Sequence, residues 1–187
     1  MNHFPISILI VRKIPCRNTC ACGVRGQADR LLVAGLHQVA RSPPDLERCL
    51  SFYCGALGGK QVSEVNSWHK GNVIADRMTR LKDSAARYAF VSVGNVFLEI
   101  FEFSSPTPND QSHRACDYGL VHLSFVVDDI HAEYARLKAA GMEFNGSPVE
   151  FEDGSIFTYG RDPDGNIIEL LEIPTGASTP IIQETPV

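Results

Sequence analysis

The chain has 187 residues, 44% hydrophobic and 21% charged, with a formal net charge of -5 and a mean hydropathy of -0.06. That length suits one domain with a sizeable core. The apolar content excludes a disordered or low-complexity chain, and no run approaches the roughly 18 apolar residues of a membrane span.

Residues 1–36 carry Arg12, Lys13, Arg17, Arg25 and Arg30 against Asp29, a net of +4, whereas the remainder holds 12 basic and 21 acidic groups, a net of -9. The apolar stretch Phe4–Val11 has its basic residues behind it rather than ahead, the reverse of a secretory signal. An arginine-bearing, acid-poor leader is also how an organelle transit peptide reads, and that alternative stays open. Cys16, Cys20 and Cys22 lack a histidine partner at zinc-finger spacing. Residues 1–34 are therefore read as a poorly ordered extension. Cys49, Cys54 and Cys116 are scattered, which fits reduced thiols in a cytoplasmic protein. The acidic body, with no basic stripe, argues against nucleic acid as a partner.

The rest of the chain repeats. Leu36–Arg41 and Val121–Val126 are strand-like runs, each with a histidine second, His37 and His122. Asp45 and Asp129 then stand where a short carboxylate caps a helix. Leu46, Cys49, Leu50, Tyr53 and Leu57 form one helical stripe; Ile130, Tyr134, Leu137 and Ala140 form the other. Gly58–Gly59 and Gly141 end them. Strand-rich sequence follows and closes on related phrases, Asn95–Glu102 and Asn166–Glu172, each containing Glu-x-x-Glu in an apolar run. Asp162-Pro163-Asp164-Gly165 is a hairpin-turn signal before the second phrase.

Each copy reads βαβββ, over about 36–103 and 119–173, within a single α+β domain at 35–173. Residues 174–187 read as a loose tail. The first copy is about fifteen residues longer, and the excess falls within Glu64–Ala86. His3, His69, His113 and His131 match no repeat position, and Trp68 and His69 sit in the insertion.

An unpaired histidine or glutamate on an apolar strand is costly to bury. His37, Glu99, His122 and Glu169 occupy matching places in both copies. Joined in one curved mixed sheet around a cleft, they would offer two imidazoles and two carboxylates to a divalent metal such as Ni, Zn, Co, Mn or Fe. Glu102 and Glu172, three residues on, fall on the opposite face and are expected to point to solvent.

At His37, Asp45-Leu46-Glu47-Arg48, Phe52-Tyr53, Glu99, His122, Asp162–Gly165 and Glu169 the chain resembles the vicinal oxygen chelate superfamily, the glyoxalase/bleomycin-resistance/dioxygenase group. The resemblance covers about residues 35–173. It implies paired βαβββ modules, a metal in their cleft, a small-molecule substrate and a homodimer. By position, the four residues fall on the metal ligands of glyoxalase I and methylmalonyl-CoA epimerase-like members. The implied activity is a lyase or isomerase/epimerase that moves a proton through a metal-stabilised enediolate, with Glu169 and Glu99 as candidate bases. The alternatives are an iron-dependent ring-cleaving dioxygenase and a protein that sequesters a small compound. Arg41 falls where glyoxalase I holds a glutathione carboxylate; a solvated strand-end arginine is the other reading. Phe103 departs from the polar residue of bacterial glyoxalase I, and the phrase Phe97–Phe103 favours an apolar or aromatic substrate tail against Phe101 and Phe103.

Overall fold

The computed structural model describes residues 35–109 and 114–180. His3, His113, the cysteines at Cys16, Cys20 and Cys22, and residues 181–187 of the expected tail lie outside the described residues. The chain divides into two units, Met1–His37 and Gln38–Val187. Of the first only residues 35–37 are described, in no regular element.

The second unit holds two sheets. The first is built from β1 (Gln38–Arg41), β2 (Lys60–Gln61), β3 (Asn66–Trp68), β4 (Ala85–Val93) and β5 (Val96–Ser105), with helices α1 (Leu46–Leu50) and α2 (Val73–Thr79) between them. The second contains β6 (His122–Val126), β7 (Glu143–Phe144), β8 (Val149–Glu150), β9 (Ile156–Arg161) and β10 (Ile167–Glu172), with helix α3 (Ile130–Ala139). In each, the opening strand runs parallel to the closing one, β1 on β5 and β6 on β10, and the remaining ladders are antiparallel. The far edge is broken in two: β2 and β3 both pair with β4, and β7 and β8 both pair with β9. Taken as one interrupted strand, each edge completes the βαβββ pattern read from the sequence. The expected insertion is β3 and α2.

Local chemistry explains the boundaries. Asp45 and Asp129 are extended, and their carboxylates accept the amides of Arg48 and Ala132 at 3.0 and 2.9 Å. Beyond Leu50 the helix widens into a π-helical turn over Ser51–Ala56, where the Leu57 amide reaches back five residues to the Phe52 carbonyl at 3.1 Å. Gly58 and Gly141 take the left-handed conformation that ends each helix.

Leu46, Cys49 and Tyr53 are fully buried against Leu98 and Ile100, and Ile130 and Leu137 belong to the same core with Ile168 and Leu170. Burial pushes the Cys49 thiol up to about 12, so it is an inert core residue.

Glu102 and Glu172 lie on the face opposite Glu99 and Glu169, as expected, but that face packs on the helices and they do not point to solvent. Glu102 Oε2 accepts the Leu46 amide, and Glu172 Oε2 accepts the Ile130 amide, each at 2.8 Å. Each helix start thus has two carboxylates, its own cap and one from the closing strand, facing the positive end of its dipole. Burial raises the Glu102 carboxyl, but the Leu46 amide and the Arg87 guanidinium outweigh it and hold it below the ordinary glutamate value. Glu102 therefore contributes stability that is present above its unfolded pKa and lost as pH falls through the depressed folded one. Glu172→Ala is expected to cost about 1 kcal/mol in urea unfolding, the usual value of a lost cap.

Part of the expected loose tail is tied down. The Ser178 amide and hydroxyl donate to Asp153 Oδ2 at 3.0 and 2.7 Å. Gly160 on β9 lies so close to its neighbours that an added Cβ would stand 2.7 Å from the Glu143 carbonyl oxygen. Gly160→Ala should therefore lower stability by about 1–3 kcal/mol, read as a fall in the thermal midpoint. No helix among the described residues is long and apolar enough to cross a membrane.

Candidate functional site

Glu169 is the buried carboxylate of the second sheet, only 7% exposed within the otherwise apolar run Ile167–Leu171. On the parallel ladder it registers with Ser124, and its side chain shares a face with His122 two residues earlier. His122 Nε2 approaches Glu169 Oε2 at 3.4 Å. Across the antiparallel ladder Glu169 faces Tyr159, which is hydrogen-bonded to it and whose ring stands edge-on to the His122 imidazole at 5.5 Å. The hydrogen bond to Glu169, helped by burial, pushes the Tyr159 phenol up to about 12. Tyr159 is a site residue that the motif reading missed.

The first sheet repeats this arrangement, with one correction. Glu99 registers with Ala40 as Glu169 does with Ser124. The position matching His122 is therefore Gln38, not His37. Gln38 Nε2 donates to Glu99 Oε2. His37 lies one residue before β1, exposed, and belongs to the other unit. The reason is the two-residue period of a strand: a slip of one residue exchanges its faces. Phe90 occupies the place of Tyr159 opposite Glu99.

The residues thus form two pairs, Gln38 with Glu99 and His122 with Glu169, one per sheet. Among the described residues no three His, Cys, Asp or Glu side chains are gathered closely enough to hold a metal ion. Each pair alone offers two donors, an oxygen or nitrogen beside a carboxylate.

Arg41 is neither solvated nor open to a carboxylate from outside. Its side chain is 10% exposed, with Nη1 paired to Asp162 and Nη2 to Asp164 at 2.7 Å. Nη1 also donates to the Tyr53 hydroxyl at 2.7 Å, and that hydroxyl donates to Asp162 at 3.0 Å. Burial would lower the arginine, but the charge of Asp162 and the hydrogen bond to it work against that and hold the guanidinium charged. Asp162 is where the sequence placed the hairpin turn, and its Oδ1 accepts the amides of Asp164 and Asn166, both at 2.9 Å. The cluster therefore joins the first sheet and its helix to the β9–β10 turn. Beside it, a cavity of about 220 Å³ opens between β1 and β6, bounded by Arg41, Tyr53 and His122.

Phe101 and Phe103 lie on the Glu99 face of β5. They cluster with Trp68 and Tyr88 at ring-centroid separations of 5.5–5.8 Å.

The model of the Glyoxalase/Bleomycin resistance protein/Dioxygenase superfamily matches residues 35–170. The chain belongs to this superfamily. A 2-epi-5-epi-valiolone epimerase from Actinomyces sp is 32% identical over 162 residues, covering 81% of this chain and 85% of that protein. A mitochondrial methylmalonyl-CoA epimerase from Mus musculus is 30% identical over 148 residues, covering 72% and 71%. Among solved structures, a glyoxalase family protein from Bacillus cereus superposes with a TM-score of 0.67 at 23% identity, over 78% of this chain and 96% of that one. That likeness concerns the fold alone, and it agrees with the two α+β modules. In both sheets of this glyoxalase-superfamily chain a carboxylate stands beside a nitrogen-bearing side chain, Glu99 with Gln38 and Glu169 with His122.

Proposed function

We propose that the chain is a divalent-metal-dependent enzyme of the epimerase or lyase type, moving a proton beside the carbonyl of a small substrate with two neighbouring oxygens. The observation that carries this is the recurrence of a donor–carboxylate pair at one register position in both sheets, Gln38 with Glu99 and His122 with Glu169. The relatives named as epimerases support it.

Two donors fall short of the three or four a divalent ion takes from protein, so both pairs must contribute to one centre. We assign that role to a homodimer, in line with exposed apolar residues such as Tyr118 and Leu120 just before β6. The set fits a cation chemically: an amide oxygen, an imidazole and two carboxylates, whose charge a divalent ion offsets. Three oxygens and one nitrogen make a harder set than two imidazoles and two carboxylates, which shifts its preference toward Mn without reversing the general order of affinity. Bound there, the ion supplies a Lewis acid that acidifies a C–H beside a carbonyl.

The chain's own residues do the rest. Glu99 and Glu169 hold or move the proton. Epimerisation takes it from one face of the carbon and returns it to the other, and a carboxylate from each sheet provides for both. Tyr159 and His122 keep Glu169 in place. An iron-dependent ring-cleaving enzyme relies on two imidazoles and one carboxylate, whereas the four site positions here include one imidazole, which weighs against that alternative. Among the described residues the thiols of Cys49, Cys54 and Cys116 are free, which suits the proposed cytoplasmic setting.

The test is calorimetric titration of chelator-stripped protein with Mn, Co, Ni, Zn and Fe(II), with subunit number measured by sedimentation. Gln38→His is expected to tighten binding about tenfold or more, because imidazole is a better donor to these ions than an amide. His37→Ala is expected to leave the affinity unchanged; loss of binding in that variant would restore the sequence-based ligand set. A protein that takes up none of these ions refutes the reading. Deuterium wash-in from D2O into methylmalonyl-CoA and 2-epi-5-epi-valiolone then tests proton transfer directly.

A further inference from the structure

Building on that metal-site reading, we propose that the Glu99 face of the first sheet is a subsite for a flat, uncharged ring on the substrate, with Trp68 as its specificity-determining residue. β5 alternates so that Glu99, Phe101 and Phe103 share a face, and β4 and β3 add Tyr88 and Trp68 to it. These rings are half-buried, so part of their surface is open.

Their orientation is specific. Tyr88 lies beside Phe101 on the neighbouring strand, tilted by 32° to it, and Phe103 follows Phe101 along β5, tilted by 34°, so the three rings form one contiguous row. Trp68 stands across that row, at 72° to Phe101 and 82° to Phe103. The result is a half-buried aromatic patch with the indole set steeply against it at one side. A flat ring packed on this patch gains tilted or edge-on aromatic contacts, the arrangements that aromatic pairs favour.

Polar anchoring keeps the indole upright. Trp68 Nε1 donates to Ser84 Oγ at 3.1 Å, and Ser84, fully buried, donates to Asp76 Oδ1 at 2.6 Å. Asp76 also accepts the amides of Asp83 and Ser84 at 2.9 and 2.7 Å, tying α2 to the start of β4. A wall fixed before the ligand arrives loses little entropy on binding.

Charge narrows the ligand further. The face positions Glu99–Phe103, with Ala86, Tyr88, Phe90, Asn66 and Trp68 beside them, include no lysine or arginine. The charged group among these positions is the Glu99 carboxylate, which disfavours an anionic group there. On the second sheet Leu171 takes the place of Phe101, and Phe157, the counterpart of Tyr88, packs on Phe151 instead, so the row of three rings is a feature of the first sheet.

The experiment uses the full Mn(II)-loaded chain with benzoylformate and pyruvate, which share two neighbouring oxygens and differ by the flat ring. Trp68 is the chain's single tryptophan, so its emission reports occupancy directly. Benzoylformate is expected to bind about tenfold more tightly than pyruvate and to change the Trp68 emission. Phe101→Leu and Phe103→Leu keep apolar volume but remove the ring; each should reduce the preference for benzoylformate over pyruvate to about twofold. Equal affinities in the wild type, or a preference that survives both leucine variants, overturns the subsite. Metal uptake with binding of neither probe, or no metal uptake at all, overturns the chelating-site reading and the subsite together.

Discussion

Replacing Glu169 by glutamine is expected to leave the metal-free protein at least as stable as wild type while weakening divalent-metal affinity roughly a hundredfold, or about 2.7 kcal/mol. Glu169 sits between Ile168 and Leu170, both fully buried, and its own exposure is 7%. A carboxylate in such a place is costly, and His122 at 3.4 Å with the Tyr159 hydroxyl offsets only part of that penalty. Glutamine keeps the shape and can still accept from Tyr159, but it carries no charge to desolvate. Stability and binding should therefore move apart. Thermal melts with and without added metal read both quantities at once, because a ligand that binds only the folded state raises the midpoint. Wild type should gain a metal-dependent rise that the variant lacks, from a metal-free midpoint no lower than wild type's. A variant that melts lower without metal yet keeps the full metal-induced rise would make Glu169 a structural residue.

Much of the fold is legible because the two modules are written in the same local signals. Asp45 and Asp129 cap, Gly58 and Gly141 terminate, and Asp162–Gly165 turns, each for a reason contained within a few residues. The equivalence of Glu99 and Glu169 is legible too, since both close a module inside an apolar run. The error at His37 shows where local signals stop. Matching the modules by their histidines places His37 opposite His122, but pairing between strands decides which residue faces the site, and that ladder selects Gln38. Tyr159 leaves a weaker trace: counting back across the Asp162–Gly165 turn from Glu169 reaches it, provided the hairpin register is known. Glu102 and Glu172 illustrate a different gap. Their face follows from strand period, whereas their partners, the first amides of helices 56 and 42 residues away in sequence, arise only on packing.

Arg41→Met is expected to lower stability by about 3–5 kcal/mol, the loss typical of removing one partner from a buried ion pair. Methionine approximates the length and bulk of the arginine stem, so the effect isolates charge rather than volume. What remains is two carboxylates, Asp162 with a fully buried side chain and Asp164 at 4% exposure, facing each other with only Arg48, itself 48% exposed, to compensate. The Tyr53 hydroxyl and the turn amides still donate to Asp162, but they cannot neutralise two charges. The expected signature is a lower urea midpoint with an unchanged slope, and partial recovery when Asp162→Asn is added, because the second change removes one of the uncompensated charges. A role in holding a substrate carboxylate would give the opposite pattern, with the midpoint unmoved and KM raised in the metal-loaded enzyme. The geometry selects the first outcome: the guanidinium that the family resemblance assigns to substrate has both terminal nitrogens engaged within the chain, where they hold the first module's helix against the second module's turn and keep the two half-sites on one scaffold.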